Sequence, residues 1–124
     1  MSYTMEWAGA GLIKKFSGYV SATELSTSAA ATTSDPEFDA AKYVIIDFSE
    51  VTRIDLADAL ENVAVMRIGA SLSKPCLKVA YVSQNDDIRR FADELLSDGL
   101  SCGWETEVFV SLEDAVRWAS RASR

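Results

Sequence analysis

Apolar residues run along this chain in two rhythms. Tyr43 to Phe48 (YVIIDF), Leu77 to Val82 (LKVAYV) and Glu105 to Val110 (ETEVFV) are short runs rich in β-branched residues, several on consecutive positions. Such runs mark strands covered on both faces. Between and after them the spacing changes to that of helices. Asn85 or Asp86 can cap a helix whose Ile88, Phe91, Ala92, Leu95 and Leu96 form one face, with Gly99 as its stop. Ser111 and Asp114 repeat the capping spacing before Leu112, Ala115, Val116 and Ala119, with Trp118 beside them.

Nearer the start, LIKKFSG (Leu12 to Gly18) predicts a strand closed by a turn glycine, paired as a hairpin with Tyr3 to Trp7 through Gly9 and Gly11. Ser21 and Glu24 stand in capping-box register and open a helix to Ser34. Its apolar face is thin, only Leu25, Ala29 and Ala30. Pro36 makes Asp35 to Asp39 a turn.

The alternation of strands and helices predicts one α/β domain, residues 1–124, with a mixed, largely parallel sheet of four to five strands, about four flanking helices and right-handed crossovers. In open sheets of this type ligands and partners gather beyond the carboxyl ends of the strands. Here that edge is Asp47 to Asp58, Ser83 to Asp87 and Ser111 to Asp114. The helix expected after the first of these loops has two apolar stripes. Leu56, Ala59, Leu60, Val63, Met66 and Ala70 suit a sheet-packing face, and Val65, Ile68 and Leu72 lie roughly 160° round from it. The second stripe serves either packing against a neighbouring helix or an interface with a partner or a second copy.

Composition removes several functions. A net charge of -7 with twelve scattered basic residues argues against nucleic acid and anionic membrane surfaces. The N-terminal stretch has no signal-peptide pattern and no apolar run is long enough to span a bilayer, so the reading is cytoplasmic, without stable membrane insertion. Histidine is absent and the two cysteines, Cys76 and Cys102, are isolated. Triad chemistry and metal ligation therefore lack their usual residues, and the expectation is no enzyme, no cofactor and no metal. A receiver-like metal site also lacks its lysine, because Ser111 and Leu112 follow the third of these strands. The pairs Lys14–Lys15 and Arg89–Arg90 read as solvated faces, and Trp7, Trp104 and Trp118 as core or rim aromatics, with Trp104 also placed to line a pocket.

The segment DFSEVTRIDLADAL resembles the signature of STAS domains, the SpoIIAA-like anti-sigma-factor antagonists, with Asp47, Ser49, Val51, Ile54 and Asp55 on the matching positions. FSGYVSATEL is similar to the family's strand, glycine and helix opening. WAGAGLIKKFSG and VFVSLEDAVRWA resemble a bacterial SpoIIAA-like branch that sits structurally near CRAL-TRIO lipid-binding domains. The resemblance implies a SpoIIAA-like fold and a regulatory role through protein contact. Where the family carries its phosphorylated serine this chain has Ala57, between Leu56 and Asp58.

Two readings of the carboxylates follow. Asp55 caps the helix and Asp58 complements its dipole, or Asp58 acts as a fixed mimic of the missing phosphate. The partner-binding residues expected are Asp47, Ser49, Asp55, Leu56, Ala57, Asp58, Val65, Ile68 and Leu72. Their partner is a protein or a second copy of the chain. The alternative function is a module for a small apolar ligand or lipid.

Overall fold

The computed structural model of the protein describes residues 3–55, 77–97 and 105–121. Five strands form one sheet in chain order: β1 (Tyr3–Ala8), β2 (Gly11–Val20), β3 (Tyr43–Ile54), β4 (Lys78–Val82) and β5 (Glu105–Phe109). The first two are an antiparallel hairpin and every later pairing is parallel. Three α-helices are described, α1 (Ala22–Ser34), α2 (Asp86–Ser97) and α3 (Leu112–Ala119), with a 3-10 turn over Pro36–Ala40.

Local chemistry accounts for the boundaries. Gly9, at φ 60°, turns the two-residue hairpin loop. Gly11 leaves room for the Tyr43 ring, which a Cβ there would overlap. At the start of α1 the Glu24 N–H donates to Ser21 Oγ at 3.1 Å, and Glu24 Oε1 accepts from the Ser21 N–H at 3.4 Å. Both halves of the capping box are thus made. Asn85 Oδ1 accepts from the N–H groups of Asp87 and Ile88 at 2.8 and 3.2 Å, and Ser111 Oγ from Asp114 N–H at 3.3 Å. Asp35 caps the 3-10 turn through Glu37 N–H at 2.9 Å and also accepts from Trp7 Nε1 at 3.2 Å, tying the turn to β1.

Two expectations need correction. Gly18 is not a terminal turn: at φ 66° it sits inside β2, where the register with β3 shifts. At this shift the backbone turns left-handed, a conformation that glycine adopts without strain. Nor does the third strand stop near Asp47. It runs to Ile54, because β2 continues to Val20 and supplies pairing for Glu50 to Ile54, whereas β4 pairs β3 only as far as Asp47.

The sheet is covered on both sides. Leu12, Phe16, Val20, Val44, Phe48, Val79 and Tyr81 face α1 and α2, meeting Leu25, Phe38 and Ile88. Across this face Tyr3, Phe16, Phe48 and Tyr81 form an aromatic row over four strands, with ring centroids 5.1, 5.1 and 6.5 Å apart. On the other face Ile45, Ala80 and Val82 meet Ala115 and Ala119 of α3. Alanines on both partners let α3 lie close to β3, β4 and β5.

Candidate functional site

The carboxyl edge of the sheet carries the residues singled out in the sequence. Asp47 lies inside β3 and is buried, on the α3 side of the sheet between Lys15 of β2 and Val82 of β4 in register. Its Oδ1 accepts the Ser49 N–H at 2.9 Å and the Ser49 hydroxyl at 2.6 Å. The carboxylate therefore fixes the backbone locally, as aspartates at such bends do. Ser49 is exposed, and a phosphate on its hydroxyl would meet the Asp47 carboxylate, a repulsive arrangement.

Beyond Asp47 the β2–β3 ribbon projects past β4. Tyr19, half exposed, and Arg53 face each other across it, the guanidinium 5.9 Å from the ring centroid. Asp55 is exposed and its N–H donates to Val20 O at 2.9 Å, closing the ribbon. Leu56, Ala57, Asp58, Val65, Ile68 and Leu72 lie outside the described residues, as do Cys76, Cys102 and Trp104. On the neighbouring strand, Ser83 is buried and its Oγ accepts from Asn85 N–H at 2.9 Å, leading directly into the α2 cap. These groups are engaged in shaping turns. Among the described residues no group of three or more metal-ligating side chains comes together.

A second constellation was missed in the sequence. Lys14 is not on a solvated face: it is 4% exposed, under α1, and its Nζ donates to Ser28 Oγ at 2.9 Å. Burial lowers its pKa from 10.5 to about 7. Lys15, the next residue, points to the opposite side of the sheet and is exposed. The signal was present in the strand period, since Leu12, Lys14 and Phe16 share a face whose first and last members are core residues.

The amine borders a cavity of about 30 Å³ between α1 and the sheet, lined by Phe16, Leu25, Ser28, Ala29, Ile46, Phe48 and Tyr81 as well. The small side chains of Ser28 and Ala29 leave this gap under the helix. It holds about two water molecules, far less than an acyl chain.

No protein-family model matches the chain, and no curated protein matches it in sequence. Solved structures do match in shape. The anti-sigma factor antagonist SpoIIAA in its unphosphorylated form superposes with a TM-score of 0.67 at 11% identity, over 97% of this chain and 99% of that one. The Bacillus cell fate determinant SpoIIAA in its phosphorylated form gives 0.62 at 11% identity, over 94% and 97%. An uncharacterised DUF3478-family protein from Shewanella loihica PV-4 gives 0.55 at 16% identity, over 94% and 91%. These three superpositions support the SpoIIAA-like fold and do not bear on the likeness to CRAL-TRIO domains. Strand order, helix placement and these superpositions together assign the chain the SpoIIAA-like fold.

Proposed function

We propose that the chain is a cytoplasmic, non-enzymatic regulatory domain of the STAS type that works by protein contact and has lost the phosphorylation switch. One observation carries this reading: the superposition on an anti-sigma factor antagonist spans nearly the whole of both chains, while the position resembling the family's modified serine is Ala57. Ser49 offers no substitute, because its hydroxyl is held against Asp47. The contact surface is the stretch from Ser49 through Asp58, shaped by the buried Asp47 carboxylate, together with Val65, Ile68 and Leu72. Its partner is another protein or a second copy.

Light scattering and phosphate mapping test the reading together. Wild type is expected to form a dimer or a defined complex, and Ile68→Lys a folded monomer with unchanged circular dichroism. Incubation with ATP and cell extract is expected to leave Ser49 and Thr52 unmodified. A wild-type monomer without a complex, or stoichiometric phosphate on either hydroxyl, rejects it. The alternative of a small apolar ligand has one observation in its favour, the apolar lining of the cavity beside Lys14, sized for a few atoms rather than for a lipid.

A further inference from the structure

Lys14 plays no part in the regulatory reading, yet its surroundings are specific. Strand period sends it under α1 between Leu12 and Phe16, where its amine borders a cavity. Among the described residues lining that cavity the other titratable side chain is Tyr81, and the amine donates to the Ser28 hydroxyl. If the position had only to fill space, a leucine or methionine would do so without burying an amine. Desolvation brings its pKa to about 7, so near neutrality a large fraction of the side chain is a free base with an available lone pair. An exposed lysine at the same pH is neutral in only about one molecule in a thousand. An amine desolvated in an apolar pocket is the usual form of a carbonyl-reactive lysine.

We propose that Lys14 is a covalent binding site for an aldehyde of one or two carbons, held as an imine beneath α1. The cavity sets the size, since about 30 Å³ takes two or three heavy atoms. Among the described lining residues Lys14 itself supplies the cationic group, and no second cation accompanies it, which favours a neutral adduct. A carbamate or an acyl phosphate would leave an anion buried without a partner, whereas a lysine imine in this setting is neutral.

The chemistry is balanced without a further reactant. The amine lone pair adds to the carbonyl carbon, the carbon–oxygen π pair moves to oxygen, and a proton passes from nitrogen to that oxygen through the Ser28 hydroxyl, 2.9 Å from Nζ. The resulting carbinolamine loses its hydroxyl with the remaining N–H proton as water, leaving C=N. Nothing is oxidised or reduced. Ser28 then reverses its role, from accepting an amine N–H to donating its O–H to the imine nitrogen.

Lys14 and Lys15 provide an internal comparison, adjacent in sequence and opposite in exposure. Folded protein at pH 7.5 is incubated with acetaldehyde for timed intervals and quenched with sodium borohydride, which reduces neutral and protonated imines alike to an ethylamine, and each lysine is quantified by peptide fragmentation. Ethylation of Lys14 is expected to be at least about tenfold faster than that of Lys15 or Lys42. Its rate should fall as pH drops below 7, and Ser28→Ala should slow it several-fold without changing Lys15. Benzaldehyde should modify Lys15 and leave Lys14 untouched. Lys14 reacting no faster than Lys15, reacting only in urea, or accepting benzaldehyde equally overturns the proposal. These outcomes are independent of oligomeric state and phosphate mapping.

Discussion

The two faces of the sheet each bury a lysine, and they treat it in opposite ways. Lys14 on β2 and Lys78 on β4 are 4% and 5% exposed. Under α1 the Lys14 amine has a serine hydroxyl as its partner. Beside α3 the Lys78 ammonium donates to the carbonyls of Trp118 and Arg121, both at 3.1 Å, and lies 5.1 Å from the centre of the Trp118 ring. Those carbonyls sit at the carboxyl end of the helix, where the dipole favours positive charge. Burial alone therefore does not decide what a lysine becomes; the acceptors around it do. One face spends the charge on closing a helix, and the other leaves an amine poised to lose it.

Replacing each lysine by methionine should move stability in opposite directions. Lys78→Met removes two charge-assisted hydrogen bonds and leaves two carbonyls without this donor, so a loss of about 3 kcal/mol in urea unfolding is expected. An unchanged midpoint would show that water replaces the ammonium and would erase the contrast. Lys14→Met keeps the volume and removes the desolvation cost, so it should gain about 2 kcal/mol at pH 7, after the loss of the Ser28 bond.

The same lysine should give the wild type a distinctive pH profile. Its folded pKa, about 7, lies below the unfolded value of 10.5. Between the two the unfolded chain binds a proton that the folded chain does not, and stability therefore rises with pH through that window. From pH 7 to pH 9 the rise should be about 2 kcal/mol, and Lys14→Met should abolish it. A profile that is flat in the wild type, or equally steep in the variant, removes Lys14 as its source.

The smallest expected effect separates the helices. Ser21→Ala removes the hydroxyl that accepts from the Glu24 N–H at 3.1 Å and also bonds Glu24 Oε1, and should cost about 1 kcal/mol, against about half of that for the single 3.3 Å bond lost in Ser111→Ala. The buried side chains of α1 are only Leu25, Ser28 and Thr32, so the cap matters more there. Equal losses in the two variants would show that α1 is held by its packing after all.

Much of the architecture was legible because it is written in local chemistry. The hairpin at Gly9, the capping residues Ser21, Asn85 and Ser111, and the strands from Tyr43, Leu77 and Glu105 follow from residue types and spacing within a few positions. What was not legible depends on partners distant in sequence. The extension of β3 to Ile54 is set by the length of β2, and nothing within Ser49 to Ile54 announces it. Lys14 and Lys15 form a basic pair in the sequence, yet strand alternation separates the two lysines onto opposite faces. Of the proposed contact residues, Asp47, Ser49 and Asp55 are placed at the carboxyl edge, with Asp47 buried deeper than a strand end would suggest.

Because the strands lie side by side in the order in which they are made, each finds its neighbour already on the ribosome's exit side, and no strand has to be held in reserve for a later one. Lys78 is the exception to this orderly growth. Its acceptors arrive only 40 and 43 residues afterwards, on and just past α3. While the chain is being synthesised, the fourth strand thus carries an ammonium on a half-built face, hydrated and resisting collapse. Docking of α3 both packs against that face and satisfies the charge, so burial of Lys78 is coupled to the arrival of the last described helix.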